Sequence, residues 1–461
     1  MILVLESHYR SRAWVKALMH TNIPFTILSI LSGERLFYKY INLPNERVLP
    51  LYGEKKIDNK KMDYDFLLDQ CYELTGCTWD NIVQQDRRLR LLSFSDTIDY
   101  LSKIIYFVTT KDFSNVKIVV GEITWAHEIF LQLYFERKNI GVYQPMVSKL
   151  EKNTFFFLRG VQREIIFQRR LPDLTINPQN ISDSLSNPAF APQMSDKLAK
   201  RNTLNSDLLR SGWYLISQYL MGSTSKYIHR NFLFVVGEKL VKIYRRIRVS
   251  RSSIFSYSVP PTSKFVIVPL HFSPEAQIDV VGKRYRDQIG MIKEIAKNLE
   301  GSEWKVLVKE HPSALGQRSE NFYYEIKRIV GPVSLLHPNF SLSQVSKKRC
   351  VVISVASFMS VEASFLGIGS INLVNTYYSS LCTQVGWQLG EITPVNLDGL
   401  IAKAASDGER IRRQNELKRC VSCLFRGSIW GIEKDNLQYE AINISRLSQS
   451  FKELYDASFA E

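Results

Sequence analysis

The chain is 461 residues long and 45% hydrophobic, enough for two or three domains that each bury a full core. Its formal charge of +15 points to an anionic partner, whether nucleic acid, an anionic membrane surface or a phosphorylated substrate. Six cysteines over this length are no disulfide framework and suit the reducing cytosol, and no apolar run reaches the ~18 residues of a membrane-spanning helix.

The chain opens as a βαβ unit, with a strand at Met1–Leu5, a helix at Ser11–Met19 and a strand at Phe25–Ile30. MILVLESHYR turns polar too early for a signal peptide. Ser7-His8-Tyr9-Arg10 stands where a dinucleotide-binding domain carries its Gly-rich turn, so that reading is weak. Asp63-Tyr64-Asp65 is a DxD without the buried strand that metal binding needs, and it reads as a solvated helix start. Trp79–Val108 has one long helical pattern, whose basic run Gln85–Arg90 reads as an amphipathic face. Val116–Val120 is a strand ending in Gly121-Glu122, and the helix that begins near Thr124 carries Trp125, His127 and Glu128. Glu122 or Glu128 is placed to accept a proton from an acceptor hydroxyl. Complementing the helix N-terminus is the alternative for either carboxylate.

Leu171–Gln193, rich in Pro, Asn and Ser, reads as a loop or mobile flap. Asp196–Ser250 is helical in pattern and grows basic. Within it Lys239–Arg251 alternates cations with Leu, Val, Ile and Tyr. Such a helix either lies on an anionic bilayer or joins domains with a solvated face. Ser252–Ser263, with Pro260-Pro261, reads as a hinge.

Past the hinge, Val266–Leu270, Val306–Val308 and Val351–Val355 are short β-branched runs that read as buried strands. Helical patterns at Gln288–Leu299 and Phe358–Leu366, the latter closing at Gly367, make these strands parallel with right-handed crossovers. Ligands of such sheets sit beyond the strands' carboxyl ends. That edge carries His271 and Glu275, then Lys309-Glu310-His311, then Ser354–Ser360. Pro312 ends its ladder and presents His311, and Lys309 shares the strand face. A cation and an imidazole there suit a phosphate leaving group. Ser354–Ser360 runs into a helix start whose free N–H groups favour phosphate, with hydroxyls from Ser357 and Ser360. Glu362, in the first turn, accepts from ribose hydroxyls or complements the dipole. His271 and Glu275 flank the first strand end and suit a sugar. Leu397–Glu461 is helical and charged, and its CxxC, Cys420 and Cys423, lacks the second pair of a zinc site.

Pro269–Gln277, the helix-opening Asp287-Gln288, Lys309–Pro312 and Ser357–Ala363 occur in the same order in bacterial surface-polysaccharide and capsule biosynthesis proteins. The chain resembles that family, most clearly from Lys264 to Tyr378, and Gln85–Arg90 with Gly121–Glu128 resembles its N-terminal half. The family is similar to the GT-B glycosyltransferases, among them capsule Kdo transferases and bacterial polysialyltransferases. The resemblance implies an α/β fold of two Rossmann-like doubly wound domains facing a cleft. Residues 1–255 would form the acceptor-side domain and 256–396 the nucleotide-sugar domain, with a helical segment, 397–461, packing back across the hinge. It implies His311 on the donor phosphate, Ser357, Ser360 and Glu362 lining the nucleotide site, and Glu122 as base. No metal and no cofactor would be required beyond the donor itself. The family's Gly-Thr-x-Gly-x-Glu-Ala pattern has Ser357 and Ser360 at its glycines and Phe358 at its threonine, which narrows the approach of a ligand to the backbone.

The expected activity is transfer of a sugar from a CMP- or UDP-sugar to a surface or capsular polysaccharide or a lipid-linked acceptor. The protein would work in the cytoplasm, held by its basic segment at the inner face of the inner membrane. A sugar-nucleotide epimerase, a polyol-phosphate transferase and a non-catalytic scaffold are the alternatives on such a fold. Nucleic acid is disfavoured, because the cations are interleaved with strand cores rather than gathered in a recognised module.

Overall fold

Short Val-, Ile- and Leu-rich runs, buried on both faces, build two largely parallel sheets, as sheets covered by helices on each side require. The structure is a computed structural model describing residues 1–6, 11–29, 42–51, 63–90, 92–160, 165–166, 176–186, 232–251, 254–259, 263–272, 277–311, 314–330, 335–429 and 437–458. In chain order the elements are β1 (Ile2–Leu5), α1 (Ser11–Met19), β2 (Phe25–Ser29), β3 (Val48–Pro50), α2 (Tyr64–Thr75), α3 (Trp79–Arg90), α4 (Phe94–Thr110), β4 (Ile118–Val120), α5 (Ala126–Arg137), β5 (Gly141–Val147), β6 (Thr154–Arg159) and β7 (Ile165–Ile166). There follow α6 (Pro178–Ser186), α7 (Phe232–Arg251), β8 (Lys264–Pro269), α8 (Gln288–Asn298), β9 (Trp304–Lys309), α9 (Glu320–Val330), β10 (Leu335–Leu336), β11 (Cys350–Ser354), α10 (Met359–Phe365), β12 (Gly369–Asn372) and β13 (Gln384–Val385). The chain closes with α11 (Pro394–Ala405), α12 (Asp407–Ser422), β14 (Phe425–Arg426) and α13 (Leu437–Ala457).

Two compact units result. The first holds the described residues up to Ile166 and from Ser422 onward; the second holds those from Ile176 to Val421. In the first unit the sheet order is β14-β6-β5-β4-β1-β2-β3. Its β3-β2-β1-β4-β5 core is parallel, and β6 and β14 close one edge antiparallel. In the second unit the order is β10-β9-β8-β11-β12-β13, parallel throughout. Counted within the unit, that is 3-2-1-4-5-6, the doubly wound order of nucleotide-binding sheets. Both units are therefore Rossmann-like, the α/β class expected from the sequence.

Local chemistry explains the elements around the second sheet. Asp287 caps α8 by accepting from the Gly290 amide at 2.9 Å, and α8 buries Met291, Ile292 and Ile295 on one face. Helix α10 runs into Gly367, whose φ of +74° is the left-handed stop that a glycine takes without strain.

Three expectations change, and the helix start at Asp63 holds. The pattern over Trp79–Val108 is two helices, because Ser93 and Asp96 form a capping box that starts α4 afresh. Asp63 is the N-cap of α2 and accepts from Asp65 N at 3.0 Å. Of the expected flap, residues 176–186 are described, and they contain a helix that buries Ile181 and Leu185 and packs on α10. The segment 397–461 divides between the units. Leu397 and Leu400 enter the core of the second; Phe425, Leu447, Phe451 and Leu454 enter that of the first. There α13 lies along α1, tied by a Lys16–Glu440 ion pair at 2.6 Å and by Ser448 Oγ donating to the Ala17 carbonyl. Ser7–Arg10 and Pro260-Pro261 lie outside the described residues. Among the described residues no helix is long and apolar enough to cross a membrane.

Candidate functional site

In the second sheet the winding reverses between β8 and β11, the point where crossovers diverge and ligands of doubly wound sheets bind. His271 spans that point. It lies two residues past the end of β8, is buried, and its Nε2 accepts the Ala356 amide at 3.1 Å from the loop after β11. An accepting nitrogen carries no proton, so this imidazole is neutral with its hydrogen on Nδ1. Gln288 Oε1 takes its backbone N–H at 2.8 Å, while Gln288 Nε2 and Arg318 Nη2 donate to its carbonyl. His271 thus braces two loops rather than presenting Nε2 to a sugar, as the sequence had suggested. Its expected companion Glu275 lies outside the described residues.

The next strand end is held from beneath. Glu310 was expected on the donor, but it is fully buried and both oxygens are occupied. Oε1 accepts the His311 amide at 2.5 Å and an Arg318 N–H, and Oε2 accepts the Tyr323 hydroxyl at 2.6 Å. Burial, and then the adjacent carboxylate, push the Tyr323 hydroxyl far above its ordinary range, so it remains a donor. This buried triad fixes the backbone of His311. The His311 ring itself is half-buried and meets Phe272 edge-on, with centroids 6.2 Å apart.

Lys309, at the end of β9, donates to the Pro338 carbonyl at 2.7 Å. Burial pulls its pKa down to about 8, partly offset by the carboxylates of Glu362 and Glu310. The fold therefore brings Lys309 and Glu362 within electrostatic reach, although 53 positions of sequence separate them. The Pro338 loop also carries His337 to the same edge. That ring stacks on Tyr257 at 4.3 Å, and burial, with the Lys309 charge, lowers its pKa. His337-Pro338 follows β10 as His311-Pro312 follows β9. The repeated His-Pro after a short apolar run was the signal that marked two adjacent strand ends.

The hydroxyl-rich stretch after β11 is built differently from the expectation. Ser354 and Ser360 are fully buried. Ser354 Oγ donates to Asn372 Oδ1 at 2.6 Å, lies 2.6 Å from Ser360 Oγ and accepts the Ser357 amide at 3.2 Å. Ser360 Oγ donates to the Ile371 carbonyl. Both side chains secure the loop to β12 and neither lines a ligand surface. Nor are the amides free, since Ala356 N goes to His271, Ser357 N to Ser354 Oγ, Met359 N to Ser357 Oγ and Ser360 N to the Ser357 carbonyl. The expected phosphate cradle is occupied by the protein's own acceptors. Ser357 and Glu362 remain half-exposed. Phe358 packs edge-on against Tyr378 at 5.5 Å, whose hydroxyl donates to the Ala356 carbonyl at 2.6 Å. Arg318, Tyr323, Asn372 and Tyr378, which shape this edge, carry no sequence pattern that marks them.

In the first unit the winding reverses between β1 and β4, and Glu6 and Glu122 follow those two strands. Both are buried, at 2% and 6% exposure. Gly121 permits the close approach there, because a Cβ on it would lie 2.8 Å from Leu5 Cβ. The Glu122 carbonyl accepts Gln132 Nε2 at 2.6 Å. Glu128 is corrected as a base: it is fully buried, and its Oε2 accepts the amides of Thr124 and Trp125, both at 2.9 Å. It caps α5, which the sequence had offered as the alternative.

No protein-family model matches the chain, and no curated protein matches it significantly. Solved structures show a distant likeness. The UDP-GlcNAc 2-epimerase of Methanocaldococcus jannaschii, in complex with UDP-GlcNAc and UDP, is 12% identical over 89% of this chain and 98% of that one, with a TM-score of 0.26. A glycosyltransferase from Rickettsia africae ESF-5 is 12% identical over 99% and 98%, with a TM-score of 0.27. The spinosyn rhamnosyltransferase SpnG is 10% identical over 92% and 96%, with a TM-score of 0.26. Likeness of that degree leaves the chemistry to be read from the strand-end residues themselves.

Proposed function

We propose that the second unit binds a nucleotide-activated sugar at the edge formed by β8, β9 and β11, and that the protein is a glycosyltransferase. One observation carries this reading. Lys309 and His311 sit together at a doubly wound sheet's carboxyl edge, with the His311 backbone locked by a buried Glu310–Arg318–Tyr323 triad. In the reaction the donor's anomeric C–O bond breaks as an acceptor hydroxyl attacks, and the electron pair leaves on the nucleotide phosphate. Charged Lys309 and an N–H of His311 stabilise that oxygen. Glu362 and Ser357 face the nucleotide's hydroxyls. The acceptor's proton goes to a general base, the role that the family resemblance gives to Glu122. The family resemblance of the motifs favours a CMP- or UDP-sugar donor and a surface-polysaccharide or lipid-linked acceptor.

A second reading, a nucleotide-binding protein without turnover, is favoured by the occupied amides of Ala356, Ser357, Met359 and Ser360. Thermal shift against CMP, CDP, UDP and GDP, followed by turnover of the matching sugar nucleotide, separates the two. Selective stabilisation by one nucleotide is expected, worth about 2.7 kcal/mol at a hundredfold excess over Kd. His311→Ala should then cut transfer or donor hydrolysis by about 10²-fold or more, with the fold intact by circular dichroism. Binding without turnover gives the second reading, and no shift with any nucleotide defeats both.

A further inference from the structure

Helix α12 opens with two carboxylates, Asp407 and Glu409, and three guanidiniums, Arg410, Arg412 and Arg413. Both carboxylates are committed. Asp407 Oδ1 accepts from Arg410 Nε and Nη2 at 3.3 and 3.2 Å. Glu409 holds Arg412 in a two-pronged pair, Oε2 accepting from Nε at 2.9 Å and Oε1 from Nη2 at 2.6 Å. Arg413 is the guanidinium left over. It is 6% exposed, and its Nη1 lies 3.9 Å from Glu409 Oε1, beyond hydrogen-bond reach. That Nη1 is buried and has no hydrogen-bond partner among the described residues. Burial lowers the pKa of Arg413; the Glu409 carboxylate offsets part of this, and the charges of Arg412 and Arg410 add to it.

The seam between α12 and the loop joining β12 to β13 supplies a second donor. Arg412 fastens that loop, with Nη1 donating to the Ser380 carbonyl at 2.6 Å and Nη2 to the Cys382 carbonyl at 2.7 Å. Ser380 Oγ is buried and also has no hydrogen-bond partner among the described residues. Glu409, Arg413, Leu417 and Cys420 form the buried stripe of α12. Cys420 Sγ lies 4.0 Å from the Tyr377 carbonyl, so the stripe faces the same loop. From the sheet side the loop is fixed by Ser379, whose Oγ accepts Asn372 Nδ2 at 3.2 Å and the Thr376 amide at 2.8 Å. Buried charges are held by groups of opposite sign. Water would satisfy the N–H groups of Arg413 without neutralising its charge. A carboxylate or phosphate does both, because two of its oxygens match the planar guanidinium fork.

We propose that Arg413, with the Ser380 hydroxyl, forms an oxyanion site at this seam and takes a phosphate or carboxylate group. The site shares no residue with the edge where Lys309 and His311 stand. In sheet order β12 is the third strand along from β9, roughly 14 Å at ordinary strand spacing. Nothing in it depends on the sugar chemistry.

The test is thermal unfolding of the full chain at pH 7 in sodium phosphate, sodium acetate and sodium chloride of matched ionic strength. Phosphate or acetate should raise Tm over chloride by about 3 °C or more once it exceeds its Kd tenfold, and the anion that acts names the ligand class. Lys309→Met, which removes the cation of the other edge, should keep the rise. Arg413→Met should lose it, with the fold intact by circular dichroism. In chloride Arg413→Met should melt no lower than the wild type, because Glu409 stays paired with Arg412. Arg413→Lys, which keeps the charge without the fork, should retain only part of the rise. No rise with either anion, a rise that Arg413→Met keeps, or one that Lys309→Met abolishes overturns the proposal. So does an Arg413→Met chain that melts below the wild type in chloride, which would show a cation already compensated by Glu409.

Discussion

Lys309 is a residue whose charge the fold brings within reach of ordinary pH. Its pKa falls to about 8 from a value near 10.4 in an unfolded chain. Below pH 8 both states carry the charge, and the folded state bears the whole desolvation cost. Between about 8 and 10.4 the unfolded chain holds the extra proton, so stability rises with pH across that window. Lys309→Met should therefore raise Tm at pH 7, and the gain should shrink to nothing by about pH 10.4; calorimetry across that range checks it. A bound phosphate reverses the preference by favouring the ammonium. Affinity for the nucleotide should fall as pH rises past 8 in the wild type and lose that dependence in the methionine variant, as titration calorimetry would read. His337 lies in the same neighbourhood, and its lowered pKa keeps it neutral near pH 7, so of these two it is the lysine that carries charge.

At the scale of elements, the loop between β9 and α9 decides the geometry of the site. Arg318 in that loop reaches both the Glu310 carboxylate and the His271 carbonyl, and so joins the ends of β8 and β9. Glu310 is wholly buried, and removing its cation strands a charge in low dielectric. Arg318→Ala should cost about 3–5 kcal/mol in urea unfolding. The double variant Arg318→Met/Glu310→Met should recover much of that loss, because two apolar groups leave no charge stranded. Recovered stability without recovered turnover would mark the pair as positioning His311 rather than merely filling the core.

For the whole molecule, the chain's last stretch completes the sheet it began with. β14 pairs antiparallel with β6, α13 packs on α1, and the Trp14 indole donates to the Ile429 carbonyl at 2.9 Å. A chain ending at Val421 should lose hydrogen-exchange protection across β1, β2 and β6. Protection across β8, β9 and β11 should persist, since the cores of the two units are separate clusters. Loss of protection in both sheets would show that they fold as one unit.

The parts of this protein readable from sequence are those governed by neighbours along the chain. Runs such as Ile2–Leu5, Val266–Pro269 and Cys350–Ser354 are short, β-branched and apolar, and with helices at crossover spacing they impose a parallel doubly wound order. The positions of His311 and Lys309 at a strand end and of Glu362 in a helix's first turn were legible because strand ends and helix starts are local features. Whether a polar group faces ligand or protein was not legible, because that depends on partners far along the chain. Glu310 became a buried support through Arg318 and Tyr323, Ser354 and Ser360 through Asn372 and Ile371, and the amides after β11 through His271. The division of 397–461 between two cores and the outward turn of Leu240, Tyr244 and Ile247 on α7 have the same origin. Periodicity names the face of a helix, and only packing decides which face meets the protein.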